Sequence, residues 1–333
     1  MVEYENKPIT FVNGIKEVSL MIRYFSSVGK VIDEIKEPEH GSWIMMTSPT
    51  IEESKLIAEK YDLEYDDIRA ALDEEERSRL QIEDHYSLVL VDIPVIETRN
   101  NKDWYITIPL GIIITEEVII TICIEENSIL NDFANGIVKN FYTYMKTRFI
   151  FQILYKNASL YLRYLRVINR KTDKVEAELH RSTRNEELIE LLEMEKTLVY
   201  FTTSLKSNEV VLEKLLKSRS IKKYPEDTDL LEDAIVENKQ AIEMANIYTN
   251  ILNGMLDTFA SIISNNQNVI MKFLAIVTIV MSIPTMIFSA YGMNLKDNNL
   301  PFANTNHAFW IIIILSVFLS ITTIVYFVKK NFF

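Results

Sequence analysis

Two stretches near the C-terminus carry no charge: Phe273 to Ala290, 18 residues, and Phe309 to Val328, 20 residues. About 20 consecutive apolar residues cross the hydrocarbon core of a bilayer as a helix. The second stretch, FWIIIILSVFLSITTIVYFV, is apolar on every side, unlike the amphipathic helices that cover a soluble core. Both are expected to be transmembrane helices rather than buried core helices. Everything before them must then fold outside the bilayer. Lys272 precedes the first span, Lys329 and Lys330 follow the second, and in the connecting loop Lys296 and Asp297 cancel. The positive-inside rule therefore predicts a multi-pass protein of the plasma or inner membrane with both termini cytoplasmic and a short outer loop. Tyr291 and Trp310 sit at the outer ends of the spans, where aromatic belts form. The opening residues MVEYENKPIT have no basic and apolar leader pattern, so no signal peptide is expected.

The charge divides along the same line. The chain carries a net −12. From residue 269 onward four lysines against Asp297 give +3, which leaves −15 on residues 1–268. An acidic chain is poorly suited to nucleic acid. One cysteine, Cys123, excludes a disulfide framework and a cysteine-based zinc site. A typical chain of this length has roughly 23 glycines; this one has 7, which argues against Gly-rich phosphate loops and for long uninterrupted helices. Two helices cannot enclose a pathway, so any pore has to be built by a closed oligomer.

The acidic part reads as α/β over residues 1–126. Strand-like runs rich in Val, Ile and Tyr occur at Glu17–Tyr24, Trp43–Met46, Tyr86–Ile96, Trp104–Ile108 and Val118–Ile124. Ser48-Pro49 predicts a helix start, with Ser48 as cap, followed by helical spacing over Ile51–Lys60 and Asp66–Leu72. Helical periodicity with coiled-coil-like charge patterning fills residues 127–227 to about Ser218. Tyr224-Pro225 then breaks it, and Asp227 or Thr228 can cap a new helix. That helix meets no proline before Pro284 and only Gly254, so residues 228–292 are expected to form one stalk whose membrane part begins near residue 272. At 1.5 Å per residue it would extend roughly 98 Å. Residues 293–308 form the outer loop, 309–328 the second span and 329–333 a basic tail.

The first span has four hydroxyls, Thr278, Ser282, Thr285 and Ser289, which share one stripe about 60° wide at about 100° per residue. The stripe extends to Leu274 and Met271 on one side and to Gly292 on the other. Small hydroxyl residues also serve helix–helix packing in membranes. The other reading is a pore face, with hydroxyls along a hydrated section and Met271 and Leu274 as a hydrophobic constriction. No Asp, Glu or His lies in either span, which favours a channel-like path over a proton- or sodium-coupled carrier.

Directly after the first span the chain reads Tyr291-Gly292-Met293-Asn294. This tetrapeptide, at the outer end of the first of two C-terminal spans, resembles the CorA family of magnesium transporters. So do the run IPTMIFSAYGMN, the acidic LDEEERSRLQIED at Leu72–Asp84, LLEDAIVENKQAIEMA at Leu230–Ala245 and the basic tail, so the resemblance spans essentially the whole chain. It implies an α+β membrane protein: a funnel-shaped homopentamer with a cytoplasmic α/β domain, a long helical stalk that lines the pore and a second helix outside it. Mg2+ would be both the transported and the regulatory ion, with Co2+ and Ni2+ as further passengers, driven by membrane potential. Mg2+ dehydrates reluctantly. A ring of five Asn294 carboxamides would therefore hold the hydrated ion, with Gly292 allowing close approach, Met293 completing the motif and Tyr291 bracing the ring.

The resemblance also implies closure by intracellular Mg2+ bound between subunits. The matching stalk positions are Asp233, in LLEDAI, and Asp257, in GMLDTF, with Asp84 a weaker contributor. Like charges facing each other across subunits repel unless a cation bridges them. One departure is in the outer loop: many relatives carry an acidic MPEL-like stretch, whereas here Leu300-Pro301 remain and the glutamate is absent. Two alternatives stand beside the magnesium channel: a Zn2+ transporter of the same superfamily, and a membrane-anchored coiled-coil scaffold that conducts nothing. An enzyme is not expected, because His40, His85 and His180 have no evident partners and Glu74–Glu76 reads as a solvated face.

Overall fold

The structure is a computed structural model that describes residues 22–29, 31–99, 102–179, 185–218, 225–293, 301–302, 305 and 307–330. The chain divides into two compact units, Met1–Asn253 and Gly254–Phe333.

The first unit is built on a seven-stranded sheet: β1 (Ile22–Val28), β2 (Val31–Ile35), β3 (Trp43–Thr47), β4 (Arg79–Ile82), β5 (Tyr86–Arg99), β6 (Lys102–Thr115) and β7 (Ile119–Cys123). The spatial order is β2-β1-β3-β7-β6-β5-β4. Only β3 and β7 pair in parallel, in the register Trp43↔Ile119 to Thr47↔Cys123. These two strands are buried on both faces, which explains their continuous apolar runs. One face holds Ile44, Met46, Leu88, Leu90, Ile120 and Ile122 under α1 (Ile51–Tyr61) and α2 (Tyr65–Ala70). The packing there is close: a Cβ on Gly111 of β6 would stand 2.5 Å from the Cβ of Ala71. On the other face Trp43 stacks on Phe25 and meets Phe141 and Phe149 edge-on, and its indole N–H donates to Thr121 Oγ1 at 2.8 Å. This face is covered by α3 (Ser128–Ala134), α4 (Lys146–Leu179) and α5 (Asn185–Lys217).

Several expectations shift. The first helix is capped by Thr50 rather than Ser48: Thr50 Oγ1 accepts from the Glu53 N–H and the Glu53 carboxylate accepts from the Thr50 N–H, a capping box. Strands β2 and β4 were not expected, because VIDEI and RLQI carry too many polar residues for a buried strand; both are sheet edges. Strand β6 runs past Pro109 to Thr115. β7 ends at Cys123 opposite Leu110, so this proline interrupts no ladder bond to it. Of the expected strand Glu17–Tyr24, residues before Ile22 lie outside the described ones. The helical stretch after residue 127 is two long helices, with residues 180–184 outside the description.

Helix α6 (Pro225–Tyr291) is continuous over 67 residues, through Pro284, and passes from the first unit into the second. It starts at Pro225 rather than after it, so Asp227 and Thr228 lie in the first turn instead of capping it. Proline suits that position because its missing N–H would have no helical partner there. Helix α7 (Ala308–Lys329) completes the second unit.

Candidate functional site

Both α6 and α7 contain a window apolar and long enough to cross a membrane, and only 6% of each window is buried. Within the second unit the burial is nevertheless patterned. On the part of α6 from residue 272 onward the buried and half-buried residues are Ile276, Val280, Ile283, Pro284, Ile287 and Tyr291, together with Ser282. On α7 they include Ala308, Ile312, Ser316, Ser320, Thr323 and Phe327. Spacings of three and four mark one face on each helix, the seam where the two spans meet. At about 100° per residue the α6 seam centres about 180° from the hydroxyl stripe. The stripe is therefore not the surface that packs on α7 of the same chain: Thr278, Thr285 and Ser289 are exposed and Ser282 sits at its margin.

The stripe's chemistry follows from where its protons go. Thr278 Oγ1 donates to the Leu274 carbonyl at 2.8 Å, Ser282 Oγ to Ile279 at 2.8 Å and Thr285 Oγ1 to Met281 at 2.9 Å. A hydroxyl that spends its proton on its own helix turns only lone pairs outward. The waters around a cation present their hydrogens outward, so these neutral oxygens suit a hydrated cation better than a bare one. Met271 and Leu274, the expected constriction, are exposed at 69% and 55%.

At the C-terminal end of α6, the Gly292 N–H returns to the Phe288 and Ser289 carbonyls and closes the helix. A Cβ on Gly292 would meet those carbonyls at 3.4 and 3.5 Å, ordinary contacts, so nothing among the described residues demands glycine there. The Tyr291 hydroxyl donates to the Pro301 carbonyl at 2.5 Å, a strut across the connection between α6 and α7. Met293 is exposed at 58%. Asn294, with residues 295–300, lies outside the described residues.

Asp84, Asp233 and Asp257 are all exposed. Among the described residues no three His, Cys, Asp or Glu side chains converge as a metal site within one chain. Burial pushes the Cys123 thiol up to about 11, so it is not a thiolate ligand at neutral pH. A cavity of about 290 Å3 is lined by residues of β6, α4 and α5. Its lysines are already engaged: Lys102 pairs with Glu190 at 3.0 Å and Lys171 lies 4.9 Å over the Tyr105 ring. The hydrogen bonds of Thr278, Ser282 and Thr285 to their own helix and the Tyr291–Pro301 strut were not foreseen; a carbonyl three or four residues before each hydroxyl was the available signal for the first.

A family model described as CorA-like Mg2+ transporter protein matches residues 38–330. The cobalt/magnesium transport protein CorA of Methanocaldococcus jannaschii is 28% identical over 302 residues, which make up 88% of this chain and 92% of that protein. The complete structure of the CorA magnesium transporter from that organism matches with a TM-score of 0.80 at 25% identity, covering 95% of this chain and all of that one (100%). The cytoplasmic domain of ZntB from Vibrio parahaemolyticus matches with a TM-score of 0.53 at 12% identity, over 74% of this chain and 97% of that one, a likeness of fold alone.

Proposed function

From the premise that this chain belongs to the CorA-like Mg2+ transporter family, a family of transporters and not of enzymes, we propose that it conducts hydrated Mg2+ through the centre of a homopentamer. The observation that carries this reading is the hydroxyl stripe: it faces away from α7 and offers acceptor oxygens outward. Five copies of α6 around an axis would turn those oxygens onto the path, while α7 faces lipid. At the mouth, five Asn294 carboxamides select the ion with its waters, and the Tyr291–Pro301 strut holds the turn that carries them. Met271 and Leu274 form the constriction, which opens by wetting. Entry is driven by membrane potential, worth about 4.6 kcal/mol per 100 mV for a divalent ion, twice the single-charge value. Both termini lie in the cytoplasm. There Mg2+ bridges Asp233 and Asp257 to neighbouring subunits, with Asp84 a lesser contributor, and holds the pore shut.

Co2+ transport accompanies Mg2+ on this reading, in line with the name of the M. jannaschii relative. The ZntB likeness, one of fold alone, does not favour zinc. The test is flux of Mg2+, Co2+, Ni2+ and Zn2+ in turn into liposomes, for the native protein and Asn294→Ala. The expected result is preferred Mg2+ and Co2+ flux that loses its preference in the variant. Unchanged preference would remove the asparagine ring from the account.

A further inference from the structure

Between α3 and α4 lies a cavity of about 390 Å3 that plays no part in the transport path. Its volume falls within the range of small-molecule sites, about 300–1,000 Å3. Its apolar lining is Ile129 of α3 and Leu160 of α4, only 2% and 6% exposed. From α4 come also Tyr155, Lys156, Ser159 and Arg163, whose spacings of three and four share one helix face over about 12 Å. Ser128 and Asp132 complete the lining from α3. Lys156 Nζ donates to Asp132 Oδ2 at 2.5 Å, which ties the two helices together and occupies the one carboxylate of the lining.

The other polar groups of the lining are unspent. Thr172 of α4 and Thr202 and Thr203 of α5 each donate to the carbonyl four residues back, the usual outlet for a hydroxyl on a helix. Ser159 makes no such bond, and among the described residues the hydroxyls of Ser128, Tyr155 and Ser159 have no hydrogen-bond partner. The Arg163 guanidinium lies 5.7 Å from the Tyr164 ring and pairs with no carboxylate among those residues. Three hydroxyls and a guanidinium are therefore available to one ligand. Lys156 and Arg163 against Asp132 give this lining +1, within a part of the chain that carries −15.

The ligand class follows from that set. A planar guanidinium fork is best met by two oxygens of one anion. A carboxylate has no oxygen left for the hydroxyls once it meets the fork, whereas a phosphate monoester has three strong acceptor oxygens. The cavity is much larger than one phosphate group, and the Tyr155 ring with Ile129 and Leu160 suits a flat organic part. We propose that this cavity binds a phosphate monoester of the nucleoside monophosphate class: Arg163, Ser128 and Ser159 take the phosphate, and Tyr155, Ile129 and Leu160 take the organic part. The site belongs to the first unit and does not depend on which ion is carried.

Equilibrium dialysis of the full-length protein in detergent micelles tests this, with radiolabelled AMP as the probe and no divalent ion added. Saturable binding is expected, displaced better by unlabelled AMP than by adenosine or by inorganic phosphate. Arg163→Gln is expected to weaken binding by about tenfold or more, and Ser159→Ala by about threefold. Arg166→Gln removes an exposed arginine of the same helix outside the cavity and is expected to bind as the native protein does. Both arginine variants are expected to melt with the native protein when no AMP is present, because both side chains are exposed. No saturable binding at millimolar AMP overturns the site. Equal losses for Arg163→Gln and Arg166→Gln mean attraction to surface charge alone and overturn it as well. Displacement by adenosine as complete as by AMP overturns the role given to the phosphate.

Discussion

Replacing Thr278 with valine removes one hydroxyl from each copy of the stripe and almost nothing else. Valine has the same branched shape and a similar helix propensity. The Leu274 carbonyl, which now accepts the Thr278 hydroxyl at 2.8 Å, keeps its helical N–H partner. Folding is therefore expected to change little. Transport is different, because that hydroxyl has its lone pairs free toward the path. If a hydrated ion touches about two of five such oxygens as it passes, and each bond is worth about 1 kcal/mol, the barrier rises by about 2 kcal/mol. That is roughly a 30-fold loss of flux at 1.36 kcal/mol per decade. The assay is Mg2+ entry into liposomes followed with a fluorescent indicator and normalised to reconstituted protein. Thr322→Val on α7 is the control, because its hydroxyl also donates to its own helix, at Phe318, but lies on the other span. Flux within twofold of native for Thr278→Val, or an equal loss for Thr322→Val, would refute the pore-face assignment.

Other perturbations probe the parts that support this path. Gly111→Val puts a side chain where even a Cβ would be 2.5 Å from Ala71, so the first unit is expected to lose about 1–3 kcal/mol and to melt earlier; an unchanged melt in detergent would show that α2 can move aside. Ser316 is 1% exposed in the seam between the spans. Ser316→Leu is expected to force the helices apart and reduce the assembled species on size exclusion, whereas Val317→Leu, at a position 52% exposed, leaves it intact. Equal behaviour of the two would deny the seam. The double variant Asp233→Ala with Asp257→Ala is expected to keep conducting at millimolar internal Mg2+, and normal closure would reject both as regulatory ligands.

The parts of this architecture that were legible in the sequence were those set by long-range composition. The two spans announce themselves because no globular core needs FWIIIILSVFLSITTIVYFV, and α6 because 67 residues hold one glycine and one interior proline. The buried strands β3 and β7 were legible for the same reason, since strands covered on both faces are apolar almost throughout, with Thr121 the one polar side chain inside β7. The edges were not. β2 and β4 owe their existence to backbone pairing with β1 and β5 rather than to their side chains, so VIDEI and RLQI look like loops. Pro109 looked like a strand end because the end of β7 opposite it could not be read from local pattern. At the candidate site, the stripe was visible as a spacing of hydroxyls. Which way it faces depends on α7, and only the pattern of burial on both helices gives that.

The most direct test of the central claim is Mg2+ entry into liposomes containing only the purified protein, with a potassium diffusion potential set negative inside. With Mg2+ absent from the side bearing the first unit, the expected result is uptake that rises with the imposed potential, falls when the potential is collapsed, and is absent from empty liposomes. Uptake that ignores the potential, or no uptake at any potential with Mg2+ removed from the side bearing the first unit, would contradict a channel for hydrated Mg2+.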